Sequence, residues 1–265
     1  MKDIKQRAVL VIPCFNEAER IKKQEFVNFV EAYDFIEFIF VNDGSTDNTS
    51  EIIHEIIRSN PDKLHLVNLQ KNSGKAEAVR QGFLSAFDDN YTYIGFWDAD
   101  LATPLRTINN FYNILQSGNA DIVIGSRVKL LGRVIQRKPY RHYLGRIFAT
   151  VVSLILKLPV YDTQCGAKIF RNSAELKQVF KRPFKTRWIF DVDILARFIM
   201  IQKTQEPFSL EKSVMEYPLE EWTDVPGSKL KLVDFAKSIK DLLKIWMFLY
   251  GPYKGKRFAD YLRES

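Results

Sequence analysis

The chain has 265 residues, of which 46% are hydrophobic and 27% charged, values typical of one compact folded domain and not of a disordered chain. Its two cysteines, Cys14 and Cys165, lie far apart, and with only three histidines this excludes a disulfide scaffold and argues against a Cys/His zinc site. No uninterrupted apolar run reaches the ~18 to 20 residues of a membrane-spanning helix. We therefore expect a soluble or peripheral protein.

Strand-like and helix-like segments alternate along the first half of the chain. Apolar runs rich in β-branched residues predict strands at residues 8–13, 35–42, 63–68, 93–97 and 121–126. Segments with helical spacing separate them, at residues 17–33, in the stretch ending near residue 58, and at residues 75–88. This order predicts an α/β fold with a mostly parallel central sheet and helices on both faces, followed by amphipathic C-terminal helices.

Polar side chains follow the predicted strands at the points where they end. They are Asn16 and Glu17, Asp43, the stretch from Asn72 to Lys75, and the Asp98-Ala99-Asp100 triplet. Ligands of such sheets sit at the carboxyl ends of the strands, so we expect these groups to form one site.

The individual motifs leave alternatives open. Asp98 and Asp100 suit Mg²⁺ or Mn²⁺ bridged to phosphate, although either could merely cap the next helix. Asp43 could accept an N–H of a nucleobase or bond its own turn. Lys75 lies in a short glycine loop that is not a P-loop, and no GxGxxG fingerprint follows any strand, which argues against NAD or FAD chemistry.

The positive net charge of +7 is concentrated in one block. Residues 122–161 contain no Asp or Glu but eight cations: Arg127, Lys129, Arg133, Arg137, Lys138, Arg141, Arg146 and Lys157. Such a block faces an anionic partner or is simply a solvated basic helix. Within it, residues 143–158 are apolar, too short to span a bilayer, and suited either to a membrane interface or to packing on the core.

Two groups of motifs resemble known enzymes. PCFNE at residues 13–17, VNDGSTD at 41–47 and DAD at 98–100 resemble the nucleotide-sugar half of inverting family 2 glycosyltransferases, which have the GT-A fold. GSR at 125–127, DTQCG at 162–166, RWIFDVD at 187–193 and PGSKL at 226–230 are similar to dolichyl-phosphate β-glucosyltransferases and related polyprenyl-phosphate sugar synthases. The resemblance extends from about residue 8 to residue 232.

This resemblance implies roles for particular residues. It assigns the donor nucleotide and its diphosphate to Pro13, Asn16, Glu17, Asp43, Lys75, Asp98, Ser228 and Lys229. Asp98 and Asp100 would also hold Mg²⁺ or Mn²⁺. Arg127 and Arg141 would bind the phosphate of the lipid acceptor. Asp191 stands where relatives with hydroxyl acceptors keep a general base. In this chain Asp191 would either take a proton or only position the substrate.

The implied reaction is transfer of glucose from UDP-glucose to a polyprenyl phosphate with inversion. The implied domain covers residues 1–232, with a nucleotide-sugar half at about 1–126 and an acceptor half at 127–232. The acceptor half includes a membrane-facing segment at 127–160. A helical tail at 233–265 follows the domain. We expect a cytoplasmic enzyme held peripherally on the cytoplasmic face of the membrane. The alternatives are another nucleotide sugar such as GDP-mannose, a glycan hydroxyl acceptor or, remotely, a non-catalytic basic module that binds membrane or nucleic acid.

Overall fold

A computed structural model describes residues 6–87, 89–136, 139–203, 209–225 and 232–251. The strands are β1 Ala8–Cys14, β2 Ile36–Asp43, β3 Leu64–Leu69, β4 Tyr93–Trp97, β5 Ile122–Ser126, β6 Val134–Gln136, β7 Ala167–Arg171, β8 Val214–Pro218 and β9 Glu221–Thr223. The helices are α1 Lys23–Ala32, α2 Thr49–Ser59, α3 Lys75–Ala86, α4 Thr107–Gln116, α5 Pro139–Leu156, α6 Ala174–Lys181, α7 Phe190–Gln202, α8 Leu210–Ser213 and α9 Leu232–Tyr250.

Seven strands form the central sheet in the order β3-β2-β1-β4-β7-β5-β8. The pairs β1–β2, β1–β4, β2–β3 and β5–β8 are parallel, whereas β7 is antiparallel to both of its neighbours. The mostly parallel α/β fold predicted from the sequence is therefore confirmed. A separate two-stranded parallel sheet, β6–β9, was not predicted, because both of its strands are only three residues long.

The reversed direction of β7 decides which loops meet. Because β7 runs against β4, its first residue, Ala167, pairs with Trp97, the last residue of β4. The loop that enters β7 therefore lies at the carboxyl edge of the other strands. Residues 162–166 are brought in this way beside Asp98 and Asp100, although more than 60 residues separate them in the sequence.

The sheet is buried on both faces. In β1, Val9 and Val11 contribute to one apolar cluster while Leu10 and Ile12 contribute to the other, as expected of alternating side chains in a central strand. The first cluster also contains apolar side chains from helices α3, α5, α6, α7 and α9. The second contains apolar side chains from α1, α2 and α4.

Helix α9 is anchored to this core and is not detached from it. Leu242, Ile245 and Leu249 are buried in the same cluster as α7, while residues 252–265 of the predicted tail lie outside the described ranges. Within those ranges, no helix combines the length and the apolar content that crossing a bilayer requires.

The amino edge of the sheet holds a polar cluster around a buried carboxylate. Glu37 of β2 accepts a hydrogen bond from Tyr91 Oη at 2.5 Å and from Arg7 Nε at 3.1 Å, and His65 Nε2 lies 3.2 Å from it. Burial by itself would raise the pKa of Glu37, but the hydrogen bonds from His65, Tyr91 and Arg7 outweigh it and hold the pKa below its usual value. The ionised carboxylate therefore stabilises the fold.

We expect Glu37→Gln to lower the free energy of unfolding at pH 7 by about 1 to 3 kcal/mol, because it removes a buried, hydrogen-bonded charge. A lowered pKa stabilises the fold above the unfolded-state pKa of about 4.3, and this contribution disappears as the pH falls through the folded-state pKa. In urea unfolding, the difference in the free energy of unfolding between wild type and variant should disappear as the pH is lowered from 7 to 3. A gap of equal size at both pH values would contradict this role.

Candidate active site

The residues predicted to bind the donor lie at the carboxyl edge of the sheet. Pro13 is the penultimate residue of β1 and pairs in register with Val41 of β2. Asp43 is the last residue of β2, and Asp98 directly follows β4. The sequence prediction that these strand ends converge is confirmed by the strand order, in which β2, β1 and β4 are neighbours.

The loops after β1 and β2 are fastened together by hydrogen bonds. The Asn16 side-chain oxygen accepts the Thr46 backbone N–H at 2.9 Å, and the Glu17 backbone N–H donates to Thr49 Oγ1 at 2.8 Å. Asn16 has a φ of 51°, a left-handed conformation that asparagine tolerates better than most residues. The Glu17 carboxylate forms an ion pair with Arg20.

Asp43 anchors the loop that carries Lys75. Its carboxylate is buried and accepts the backbone N–H of Ser73 at 2.7 Å and of Gly74 at 2.8 Å. Gly44, at φ 63°, allows this approach, because a Cβ there would lie 2.6 Å from the backbone of Lys71. Asp43 thus fixes a different loop from its own turn, and its predicted role toward the nucleobase stays a prediction.

Asp98 lies between a lysine and a glycine, and Asp100 lies in the turn after β4. The Asp98 carboxylate forms an ion pair with the Lys75 ammonium, and its backbone N–H donates to the Gly166 carbonyl at 3.0 Å. A Cβ on Gly166 would lie 1.8 Å from Asp98 Oδ2, so only glycine leaves room for this carboxylate. Asp100 Oδ1 accepts the Ala102 backbone N–H at 3.1 Å and thereby fixes the turn after β4.

The electrostatics of this acidic pair favour a cation. Burial, and then the neighbouring Asp98 carboxylate, raise the pKa of Asp100. Burial would lower the pKa of the Lys75 ammonium, but Asp98 and Asp191 outweigh burial and raise it. Among the described residues, no group of three or more Asp, Glu, His or Cys side chains is placed to hold a metal. Two carboxylates alone fit Mg²⁺ or Mn²⁺ that reaches the site with a diphosphate and water as its remaining ligands.

Arg127, predicted to bind the acceptor phosphate, lies in a bidentate ion pair. Its Nε and Nη2 donate to the two carboxylate oxygens of Asp162 at 2.7 and 2.8 Å, and its Cζ lies 5.3 Å from the centre of the Trp222 ring. Burial lowers the pKa of the guanidinium, but the Asp162 carboxylate outweighs that effect and raises it. Arg127 is therefore permanently charged, and its ion pair with Asp162 uses Nε and Nη2. Its predicted contact with an acceptor phosphate stays a prediction.

Asp191 lies in the first turn of α7 and contacts a buried lysine. Its Oδ1 accepts a hydrogen bond from Lys168 Nζ at 2.5 Å, and only 8% of its side chain is exposed. Asp193, two residues on, accepts the Lys185 backbone N–H at 2.6 Å and pairs with Arg197, so it holds the preceding loop. The two carboxylates of this motif therefore have different surroundings and different roles.

Three predicted residues are not described at the side-chain level. Arg141 lies in α5, but its side chain is outside the described set, and Ser228 and Lys229 fall in a stretch outside the described ranges. Their predicted contacts with the acceptor phosphate and with the donor diphosphate stay predictions.

Comparison with known proteins identifies the family. The family model described as "Glycosyl transferase family 2" matches residues 9–178. The chain belongs to this family. It is 32% identical to the dolichyl-phosphate β-glucosyltransferase of Saccharomyces cerevisiae, over 94% of this chain and 77% of that protein. It is 31% identical to the Homo sapiens protein of the same name, over 92% of this chain and 76% of that protein. The glycosyltransferase class resembled by the sequence motifs is confirmed.

A solved structure matches the fold. Glucosyl-3-phosphoglycerate synthase from Mycobacterium tuberculosis, in complex with Mn²⁺, UDP and glucosyl-3-phosphoglycerate, superposes on this glycosyltransferase with a TM-score of 0.66 at 16% identity, covering 93% of this chain and 80% of that chain. The predicted GT-A fold is therefore confirmed. Another structure of that enzyme, in complex with Mg²⁺ and UDP, gives the same TM-score.

Sequence reasoning did not assign four residues of this glycosyltransferase that shape its site. They are Asp162, which pairs with Arg127, Gly166, which leaves room for Asp98, Lys168, which pairs with Asp191, and Trp222, which faces Arg127. Lys168 had a visible signal, because it is a charged residue inside the apolar strand AKIFR. Cys165, in the same loop as Gly166, is fully buried, and burial raises the pKa of its thiol to about 11.

We expect Gly166→Ala to lower kcat/KM about 100-fold, because the new methyl group displaces the Asp98 carboxylate and a shift of about 1 Å at a reacting centre costs that much. Binding of Mn²⁺ and UDP, measured by titration calorimetry, should weaken in parallel. The matched control is Gly118→Ala, where a Cβ meets nothing within 4 Å. Because the φ of Gly118 is 73°, this variant should lower the free energy of unfolding somewhat, and its activity should equal that of the wild type. A Gly166→Ala enzyme with wild-type Mn²⁺ binding would contradict the assignment.

Proposed function

We propose that this glycosyltransferase moves glucose from UDP-glucose to a dolichyl-type polyprenyl phosphate, with inversion, giving a β-linked lipid phosphate glucose and UDP. Relatives named dolichyl-phosphate β-glucosyltransferase, similar over more than nine-tenths of this chain, support the substrate pair. The observation that carries the proposal is geometric: one edge of the sheet holds the carboxylates of Asp98 and Asp100 and, across β7, the guanidinium of Arg127.

The acidic end of this edge suits the donor. Asp98 and Asp100 would hold Mg²⁺ or Mn²⁺, as the metals bound with UDP in the structural neighbours suggest. A bound divalent cation would compensate the charge on the departing nucleotide diphosphate. Lys75, close to Asp98, adds a further positive charge beside the same diphosphate.

The basic end suits an anionic acceptor. The second pKa of a phosphate monoester is about 6, so the acceptor is largely a dianion at neutral pH and is already a nucleophile. Arg127 offers a guanidinium whose plane is fixed by Asp162 and Trp222, which restricts the direction from which a phosphate can approach. Arg141 is the second residue that we propose for binding the phosphate.

An exposed apolar surface on two helices supports a lipid environment. We call it the α5–α9 face; its exposed side chains are Tyr143, Ile147, Val151 and Leu154 of α5 and Ile239, Leu243, Trp246 and Met247 of α9. Between the helices runs a groove of about 520 Å³ with a wholly apolar lining. Lys157 directly follows α5, and Lys244 lies within α9. An apolar surface on helices that also carry cations fits the interface of an anionic bilayer.

The reaction is tested with purified protein, UDP-glucose, Mn²⁺ and a short polyprenyl phosphate, with mass spectrometry of the lipid. We expect a lipid-linked hexose whose formation stops on addition of a chelator and falls about 100-fold or more in Asp100→Asn. GDP-mannose should replace UDP-glucose poorly. Hydrolysis of UDP-glucose without a lipid product would contradict the proposed acceptor and favour a glycan hydroxyl.

Arg127→Ala tests the acceptor site in the same assay. We expect KM for the polyprenyl phosphate to rise about tenfold or more, with KM for UDP-glucose nearly unchanged. The matched control is Arg171→Ala, because Arg171 also pairs with a carboxylate, Asp121, on the same sheet but lies at its opposite edge. An equal effect on both substrates would contradict the assignment.

Peripheral membrane binding, which we propose for the cytoplasmic face, is tested by flotation with vesicles of anionic lipid. The double variant Leu154→Asp/Met247→Asp should bind at least about tenfold more weakly, since both side chains are more than 60% exposed on the α5–α9 face and each buried apolar side chain adds roughly 1.5 to 3 kcal/mol. Met215→Asp, at a 37% exposed methionine on β8, is the control. Unchanged flotation of the double variant would exclude this face as the membrane contact.

A further inference from the structure

A leucine at the tip of the loop after β5 is completely exposed. This loop, residues 127–133, connects β5 to β6, and we call it the β5–β6 loop. The side chain of Leu131 is as accessible as in an isolated extended chain, and Leu130 and Val134 are about half exposed. Single exposed apolar residues are ordinary on a protein surface, but three in the stretch 130–134 form a patch that calls for a partner.

The backbone of the loop presents this tip in a defined conformation. The Arg133 backbone N–H donates to the Leu130 carbonyl at 3.2 Å and closes a turn, in which Gly132 has a φ of 79°. A Cβ at Gly132 would meet no described atom within 4 Å, so this glycine serves the left-handed backbone of the turn and not close packing. The turn therefore holds the two leucines away from the core.

Both ends of the loop are fastened to neighbouring segments. At its start, the Arg127 backbone N–H donates to Asp162 Oδ2 at 3.1 Å, in addition to the ion pair between the two side chains. At its end, Arg133 forms an ion pair with Glu220 at 2.9 Å, and the Val134 backbone N–H donates to the Glu220 carbonyl at 2.8 Å. A tip fixed in this way can enter an apolar phase without rearrangement of the sheet.

The charges around the tip favour an anionic surface as its partner. Lys129 is exposed directly before the two leucines, and residues 122–161 contain eight cations and no Asp or Glu. The nearby carboxylate of Glu220 is compensated by Arg133. An apolar tip bordered by cations matches the boundary between the headgroups and the acyl chains of an anionic bilayer.

The length of the chain keeps the tip close to Arg127. Leu131 lies four positions after Arg127, so the Cα atoms of the two residues are at most about 14 Å apart. The headgroup layer of one leaflet is roughly 5 to 8 Å thick. A tip seated among the acyl chains would therefore keep Arg127, the residue proposed for the acceptor phosphate, near the headgroup layer.

We propose that the β5–β6 loop is a membrane-insertion loop: Leu130 and Leu131 enter the acyl boundary of an anionic bilayer, and Lys129 lies among the headgroups. The loop is separate from the α5–α9 face and adds a second membrane contact beside the candidate acceptor site. Its role toward the acceptor rests on the proposed function, whereas its insertion is measured without any reaction.

The first test follows insertion with a fluorophore. Cys14 and Cys165 are both buried, so Leu131→Cys provides one accessible thiol for a polarity-sensitive label. On vesicles of equal parts phosphatidylcholine and phosphatidylglycerol, the emission of the label should shift to the blue and be quenched by lipids spin-labelled in the acyl chain. The matched control is Ser117→Cys, since Ser117 is exposed in a turn directly before Gly118, another glycine of positive φ, but precedes β5. Its label should show neither change.

The second test changes the tip. Leu131→Asp should weaken binding to the same vesicles about tenfold or more, because burial of one leucine side chain changes an equilibrium by about that factor. Its Tm should equal that of the wild type, since the side chain is exposed. Leu131→Phe should bind as well as the wild type. Lys129→Gln should weaken binding to these vesicles about fivefold and leave binding to pure phosphatidylcholine vesicles unchanged.

The third test connects insertion with the acceptor. In Leu131→Asp, KM for a long polyprenyl phosphate embedded in vesicles should rise about tenfold, because less enzyme is held at the surface. KM for UDP-glucose and for a short polyprenyl phosphate dispersed in water should stay within about twofold of the wild type. An equal rise for both acceptors would mean that Leu131 acts within the site and not through the membrane, and would overturn the inference.

These outcomes are distinct from those that test the proposed function. If the wild type glucosylates no polyprenyl phosphate, the proposed function fails, and the label on Leu131→Cys still decides whether the loop enters the bilayer. A label that stays in water in the presence of vesicles, or that behaves like the label on Ser117→Cys, would overturn the inference. Sedimentation that finds dimers of the wild type and monomers of Leu131→Asp would assign the leucines to a second copy of this chain and would overturn it as well.

Discussion

The direction of one strand determines the arrangement of the site. Because β7 runs against β4 and β5, the loop before it reaches the edge where the other strands end. That loop carries Asp162 and Gly166, the partners of Arg127 and of Asp98. A parallel β7 would send this loop to the opposite edge, and the two candidate substrate-binding ends would lose the contacts that fix them.

Charged side chains at this edge are paired before any substrate arrives. Lys75 contacts Asp98, Arg127 contacts Asp162 and Lys168 contacts Asp191. Paired charges keep their geometry with little reorganisation, which is the condition for electrostatic stabilisation of a developing charge. The Lys75 and Asp98 side chains are 41% and 36% exposed and can exchange partners with a substrate. The paired side chains of Lys168 and Asp191 are buried.

The α5–α9 face is connected to this site through the backbone. Arg146 of α5 lies with its Cζ 3.5 Å from the Tyr161 ring centre, and Tyr161 directly precedes Asp162, the partner of Arg127. The Tyr161 and Asp162 backbone N–H groups both donate to Glu216 of β8, at 2.7 and 2.8 Å, which fixes this segment to the sheet. These contacts connect α5 with the segment that holds the Arg127 guanidinium.

The sequence by itself determined the alternation of strands and helices, the convergence of Asp43, Asp98 and Asp100 on one edge, and the family, because periodicity and strand-end motifs are local signals. It could not determine the direction of β7, the β6–β9 pair, or that Asp43 anchors the loop before Lys75. Nor could it pair Lys168 with Asp191. These contacts join residues far apart in the chain, and the packing of buried charges, which only the tertiary structure provides, selects each partner.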